Sequence, residues 1–300
     1  MSFPWIKNTT TASKLLIFLL LFTFGLIFSG ILGMFITSMR GGGMTDITNL
    51  QITQICSQLV GFLLPTLLYV LLVKEKPFNY LGFNNLPKWS LLGILAMFAV
   101  IPFVASVSDW NDSIVFPESM KGIETTLRNL KEVNDSVSER MMNESNLFVA
   151  ILIFGLLAAI SEEVLFRSVI QKSFIKLFRN AHVAIIVTAL VFSAFHGDFY
   201  GFFPRFILGL MLGYMFWMSG SIWASIIMHF TNNTTIVMLY FLNKKEIINI
   251  DVDSFGSTDS VFVIILSLVV TVIIFIICNR LKTNVISTEV KRSGEITDTQ

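Results

Sequence analysis

Ser161-Glu162-Glu163-Val164-Leu165-Phe166-Arg167 sets two adjacent carboxylates and an arginine inside an apolar run. Upstream, Leu147 to Ile160 carries no charge and has helical length. An isolated charge at the bilayer centre costs at least ~2.5–3.5 kcal/mol on insertion scales, so such a cluster needs a compensating arrangement. A helix supplies part of it. Glu163 and Arg167 are i,i+4 with the acid on the N-terminal side, the better orientation for an ion pair. At about 100° per residue they lie within roughly 40° of each other, while Glu162 is turned roughly 140° from Arg167. The stretch predicts a membrane helix with a Glu163–Arg167 pair and a second carboxylate that needs another partner.

The whole chain agrees with a membrane setting. Its 300 residues are 54% hydrophobic and only 14% charged, with a mean hydropathy of +0.74. Soluble domains carry roughly 25% charged residues, so the composition is that of an all-α polytopic membrane protein. A net charge of +1 implies no polyanionic partner, and no nucleic-acid motif occurs. Cys56 and Cys278 both sit in apolar runs, which fits small core residues better than a disulfide or thiolate metal site.

About eight spans are expected, at 15–39, 52–73, 91–107, 147 to about 172, 183–196, 203–218, 222–242 and 261–278. Pro65 and Pro102 fall inside the second and third, where kinks are expected. Residues 108–146 form the one long polar segment. Ile123, Leu127, Leu130 and Val137 recur there at helical spacing, with Glu124, Lys131, Glu132 and Arg140 facing elsewhere, as in an interfacial amphipathic helix or a solvated one. Residues 280–300 have no periodicity and are expected to be disordered. The chain thus divides into an N-terminal three-span region (1–146), a polar-residue-bearing core (147–243) and a last span with its tail (244–300). Lys and Arg concentrate in alternate short connections, which places both termini in the cytoplasm of a multi-pass protein, in the plasma membrane if the source is bacterial.

Further polar groups fall at membrane depth. His196 ends the run from Leu190, and His229 and Asn233 share one helical face at i,i+4. His182 belongs to a turn at the basic edge and is read as interfacial. Each histidine alone reads more readily as a satisfied core residue. Together with Glu162 they suggest one wet chamber, because polar groups at this depth pair or line water. Such a set suits hydrolysis: a carboxylate takes a proton from water, a histidine orders that water or binds a metal, and a His/Asn pair donates to an oxyanion. The zinc-protease pattern His-Glu-x-x-His is absent. A Glu162/His196/His229 site for a divalent ion such as zinc, with one open position, is equally compatible. Gly209 and Gly213, four apart, predict close helix packing that brings the helices of His196 and His229 together.

Glu162-Glu163-x-x-x-Arg167, Phe192-x-x-x-His196 and His229-x-x-x-Asn233 resemble, in order, the three signatures of the CAAX-protease and bacteriocin-processing family of intramembrane endopeptidases, over about residues 147–240. The resemblance implies a helical membrane protease acting on a peptide or protein substrate at the bilayer. It also implies roles. Glu162 would activate water, with Glu163 and Arg167 supporting it. His196 would be the second catalytic residue, and His229 with Asn233 would stabilise the oxyanion. Members are described both as metalloproteases and as metal-independent glutamate enzymes. Two other functions fit the residues: a non-catalytic membrane factor giving immunity to bacteriocin-like peptides or holding a partner, and a proton-relay transporter. The transporter would show symmetry between halves, and the sequence has none.

Overall fold

The computed structural model describes residues 9–43, 45–73, 77–252 and 254–293, and among these every regular element is helical. The principal helices are α1 (Thr11–Arg40), α2 (Ile47–Val73), α3 (Lys88–Ala99), α4 (Ile101–Asp112), α5 (Lys121–Glu144), α6 (Leu147–Phe178), α7 (Ala181–Phe195), α8 (Phe202–Ser219), α9 (Ile222–Lys244) and α10 (Val261–Ser293). α1, α2, α6, α8 and α10 are long and apolar enough to cross a bilayer, and α3 with α4 makes a sixth span bent by 46°. The bend falls at Val100, two residues before Pro102. The ring of Pro102 opposes a continuous α-helix through the preceding turn. α7 is apolar but has only 15 residues. α9 has the length but is interrupted by His229, Thr231, Asn232, Asn233, Thr234 and Thr235. The two expected spans that fall short of the ordinary membrane pattern are the two that bear His196 and His229.

At Pro65 the helix α2 continues without a break. The turns before it, Ser57–Leu63, widen into a π-helix, which relieves the clash between a proline ring and the helical carbonyl four residues back. Two more π-helical segments, Ile151–Leu157 and Val164–Gln171, flank Ala158–Glu163 in α6. The expected disorder of 280–300 is corrected in part: α10 continues as helix to Ser293, since extending an existing helix avoids the cost of nucleation. The last seven positions of that expectation, 294–300, lie outside the described residues.

The helices meet at two ends. At one, Asn111 Nδ2 donates to Phe199 O and Asn111 Oδ1 accepts from Phe203 N, Gln51 donates to Ser145, and the Arg128 guanidinium lies 4.3 Å over the Tyr200 ring. At the other, Asn84 bridges to Gly220 and Ser221, Lys172 Nζ donates to Tyr80 O, and Lys282 Nζ lies 4.4 Å over Trp217. His182 is at this second end, with Nδ1 3.0 Å from Tyr214 Oη, as the interfacial reading expects. α5 packs at the first end through the face that bears Glu124. Ile123 and Leu130 are exposed, whereas Glu124 is buried, held by the Phe116 N–H, Lys121 and Arg128. Of the apolar stripe, Ile123 and Leu130 face outward while Leu127 and Val137 are half-buried, as suits a helix resting on a bilayer surface.

Two apolar clusters brace the bundle. Phe18, Phe62, Tyr69, Phe166 and Phe192 join α1, α2, α6 and α7. Met97, Leu212, Met215, Met228 and Cys278 join α3, α8, α9 and α10. Two glycines permit close helix approaches around the site. A Cβ on Gly155 of α6 would stand 2.7 Å from Thr234 Oγ1 of α9, and one on Gly209 of α8 would stand 3.2 Å from the Ala189 Cβ of α7. Gly209 therefore seats α7 on α8, while Gly155 brings α9 to α6.

Candidate active site

Between the two clusters lies a cavity of about 200 Å³ lined by Glu162, His196, His229 and Asn233, with Phe192, Met97 and Arg205 among its walls. α6 contributes Glu162, α7 ends at His196, and α9 supplies His229 and Asn233. The structure brings these four together from three helices. Glu163 and Arg167 lie directly behind, both wholly buried, with Arg167 Nε donating to Glu163 Oε2 at 2.9 Å. This is the i,i+4 pair the sequence predicts.

The second carboxylate oxygen, Glu163 Oε1, accepts from His229 Nδ1 at 3.0 Å. A carboxylate only accepts, so the hydrogen is on Nδ1, and the other ring nitrogen carries a lone pair when the ring is neutral. The same reasoning fixes His196, whose Nδ1 donates to Phe192 O at 2.8 Å. Both Nε2 atoms face Glu162 Oε2, His229 at 3.8 Å and His196 at 4.0 Å. Glu162 Oε2 is buried and has no hydrogen-bond partner among the described residues. These separations are too long for direct hydrogen bonds. Three acceptors aimed at one spot call for a donor or a cation between them, and a single water or divalent ion has the right character. For a tetrahedral zinc, with bonds of about 2.0–2.1 Å, the donor atoms would have to close up by roughly half an ångström. Accordingly, no group of three His, Cys, Asp or Glu among the described residues is already at metal spacing.

Asn233 donates through Nδ2 to Phe154 O at 2.9 Å, and its Oδ1 accepts from Asn232 Nδ2 at 3.2 Å. Phe154 lies in the first π-segment of α6, so the widened turn presents its carbonyl to α9. The Arg167 guanidinium has no further hydrogen-bond partner among the described residues. Its carbon lies 5.2 Å from the Phe192 ring centroid instead, a cation–π contact that offsets part of the burial cost.

Sequence reasoning did not find Gln58, Ser161 or Arg205. Gln58, buried in the π-segment of α2, donates through Nε2 to Glu162 Oε1 at 3.4 Å. Its own Oε1 accepts from Ser161 Oγ, and the carboxylate, which only accepts, sets the amide nitrogen towards Glu162. The available signal was a glutamine one turn deeper into the expected span than Gln54, a depth at which a polar side chain needs a partner. Arg205 reaches the cavity wall from α8 and pairs with Asp198 at 2.8 Å.

Residues 144–235 match the model of a family described as type II CAAX prenyl endopeptidase Rce1-like. No curated protein and no solved structure matches the chain. The matched segment contains Glu162, Glu163, Arg167, His196, His229 and Asn233, the residues on which the resemblance rests. Segment 144–235 of this helical membrane protein is thus a domain of the CAAX protease family, a family of membrane-embedded endopeptidases.

Proposed function

We propose that the chain hydrolyses peptide bonds within the membrane, using a water held between Glu162, His196 and His229. The observation that carries this reading is the convergence of Glu162 Oε2 with the two Nε2 atoms at 3.8 and 4.0 Å. Glu162 takes the proton of the bound water as the oxygen attacks the scissile carbonyl, which breaks an O–H bond and forms a C–O bond. The oxyanion that develops is met by the amide hydrogen of Asn233 not used by Phe154 and by the Nε2–H of a histidine that carries a proton from solvent when the substrate binds. Glu162 then hands the proton it took to the leaving nitrogen as the oxyanion reforms the carbonyl and the C–N bond breaks. Glu163 and Arg167 hold the His229 ring so that its Nε2 faces the water, the role of a carboxylate behind a histidine.

The same donor set suits a divalent ion such as zinc, which Glu162, His196 and His229 would hold. Bound there, it would bring the pKa of a coordinated water towards neutrality. Metal content of purified wild type and of His229→Ala separates the two variants of the reaction. The substrate is a peptide or protein at the bilayer.

Glu162→Ala, His196→Ala and His229→Ala are each expected to abolish cleavage while folded protein remains in the membrane. Full protection of cells from a bacteriocin-like peptide by Glu162→Ala, with no cleavage by the wild type, would instead support the immunity function.

A further inference from the structure

At one end of the bundle the cavity is bordered by the α7–α8 hairpin, which is short. α7 has 15 residues, or roughly 22 Å at ~1.5 Å per residue, against a hydrocarbon thickness of ~30 Å. The α7–α8 turn therefore stops short of the surface at the end where α5 packs. His196 sits at this turn with 31% of its side chain exposed. A second cavity of about 170 Å³ adjoins the site and shares Met97, Leu208 and Asn232 with it. It continues towards the same end, past Ser108 of α4, to Val252 and Phe255 in the segment between α9 and α10. Its α3–α4 wall is apolar, with Val100 and Val104, and its α9 wall offers Thr231, Asn232 and Thr235, a run of hydrogen-bonding groups leading down to Asn233 and His229.

Charge identifies that end. By sequence, the connections and tails of the opposite end carry twelve Lys or Arg, at 7, 14, 74, 76, 88, 172, 176, 179, 280, 282, 291 and 292, against eight at the open end, at 40, 121, 128, 131, 140, 205, 244 and 245. The short connections at the open end hold Arg40, Arg205, Lys244 and Lys245, and of these Arg40 and Arg205 are bound to Asp46 and Asp198 at 2.7 and 2.8 Å. Lys/Arg excess in short connections marks the cytoplasmic side.

From this, we propose that the site is reached from the extracytoplasmic face, and that its substrate is an extended polypeptide segment on that face. Apolar side chains of the segment lie against α3–α4, and its backbone hydrogen-bonds to the Thr231–Asn232–Thr235 wall. The nature of the occupant rests on the protease reading; the side of access does not. A peptide backbone suits one apolar and one hydrogen-bonding wall, since each residue presents both a side chain and amide groups.

Thiol accessibility tests the side directly. In a Cys56→Ala, Cys278→Ala background, Ser108→Cys and Thr235→Cys place thiols in the groove, and Lys88→Cys places one at the opposite end. Spheroplasts and inverted vesicles are treated with a charged, membrane-impermeant methanethiosulfonate. Ser108→Cys and Thr235→Cys are expected to be modified in spheroplasts and not in inverted vesicles, with Lys88→Cys showing the reverse. Modification of both groove thiols only in inverted vesicles would overturn the proposal. So would their protection in both preparations while the denatured chains react fully. Two groove positions keep the test decisive if one variant misfolds. Loss of the protease reading, by a still-active Glu162 variant, would leave this labelling pattern untouched.

Discussion

Glu163 Oε1 and His229 Nδ1 are joined by a buried 3.0 Å hydrogen bond across 66 residues of sequence. That bond couples the acidic motif of α6 to the histidine of α9 and orients the imidazole towards Glu162. Glu163 is therefore shared between an ion pair and a histidine, both far from bulk water.

Removing Glu163 strands the wholly buried Arg167. Breaking one side of a buried pair costs about 3–5 kcal/mol, so Glu163→Ala is expected to lower the melting temperature in detergent markedly. Double substitution Glu163→Ala/Arg167→Leu is expected to recover much of the stability and none of the activity. Thermal unfolding and turnover measured on the same samples check both statements.

Gln58 acts on Glu162 through its amide, and Ser161 fixes that amide. A hydrogen bond to a charged group contributes about 1.5–3 kcal/mol. Gln58→Leu is expected to reduce kcat by roughly 10- to 100-fold with KM little changed, since Gln58 does not line the cavity. A parallel rise in KM without a fall in kcat would contradict this positioning role.

Gly155 lets α6 lie close against α9 at Thr234 and Phe230. Gly155→Val inserts atoms where Thr234 and Phe230 already lie, an overpacking that costs about 1–3 kcal/mol. Because the same contact sets the distance from Glu162 to His229, the variant is expected to lose turnover beyond what its stability loss explains. Refolding yield and specific activity of the folded fraction separate the two effects.

Glu124 anchors α5 outside the membrane spans. Burial pushes its carboxyl up, but the Phe116 N–H and the cations Lys121 and Arg128 outweigh that and hold it below the ordinary carboxylate range. A carboxyl depressed in the folded state contributes stability that is present above its unfolded pKa, about 4.3, and is lost as pH falls through the lower folded value. Hydrogen exchange in α5 is expected to accelerate below roughly pH 4, and Glu124→Gln is expected to show the faster exchange already at neutral pH.

Much of the layout was legible because local rules govern it. The apolar runs located the helices, of which five, or six with the bent pair, are long and apolar enough to span against the eight expected; Pro102 marked the bend at Val100, and i,i+4 geometry joined Glu163 to Arg167. The sequence put Glu162, His196, His229 and Asn233 at membrane depth on three helices, and the structure gathers them around one cavity. What escaped depends on contacts between distant segments. Gln58 meets Glu162 across 104 residues, and no periodicity within α2 points to it. The π-segments of α6 leave no apolar period to read. α5 presents its charged face to the protein because Asp112, Tyr200 and the Phe116 backbone wait there, and the helix's own pattern carries no record of them.

The most direct test of the central claim is turnover by Glu162→Gln. Wild type and variant are purified in detergent micelles and compared on a pool of quenched fluorogenic peptides, with thermal unfolding measured alongside. Loss of a general base costs roughly 10²–10⁴-fold in rate. The account expects a loss of that size in kcat with an unchanged unfolding transition, because glutamine keeps the shape of Glu162. Turnover by Glu162→Gln at the wild-type rate would contradict it.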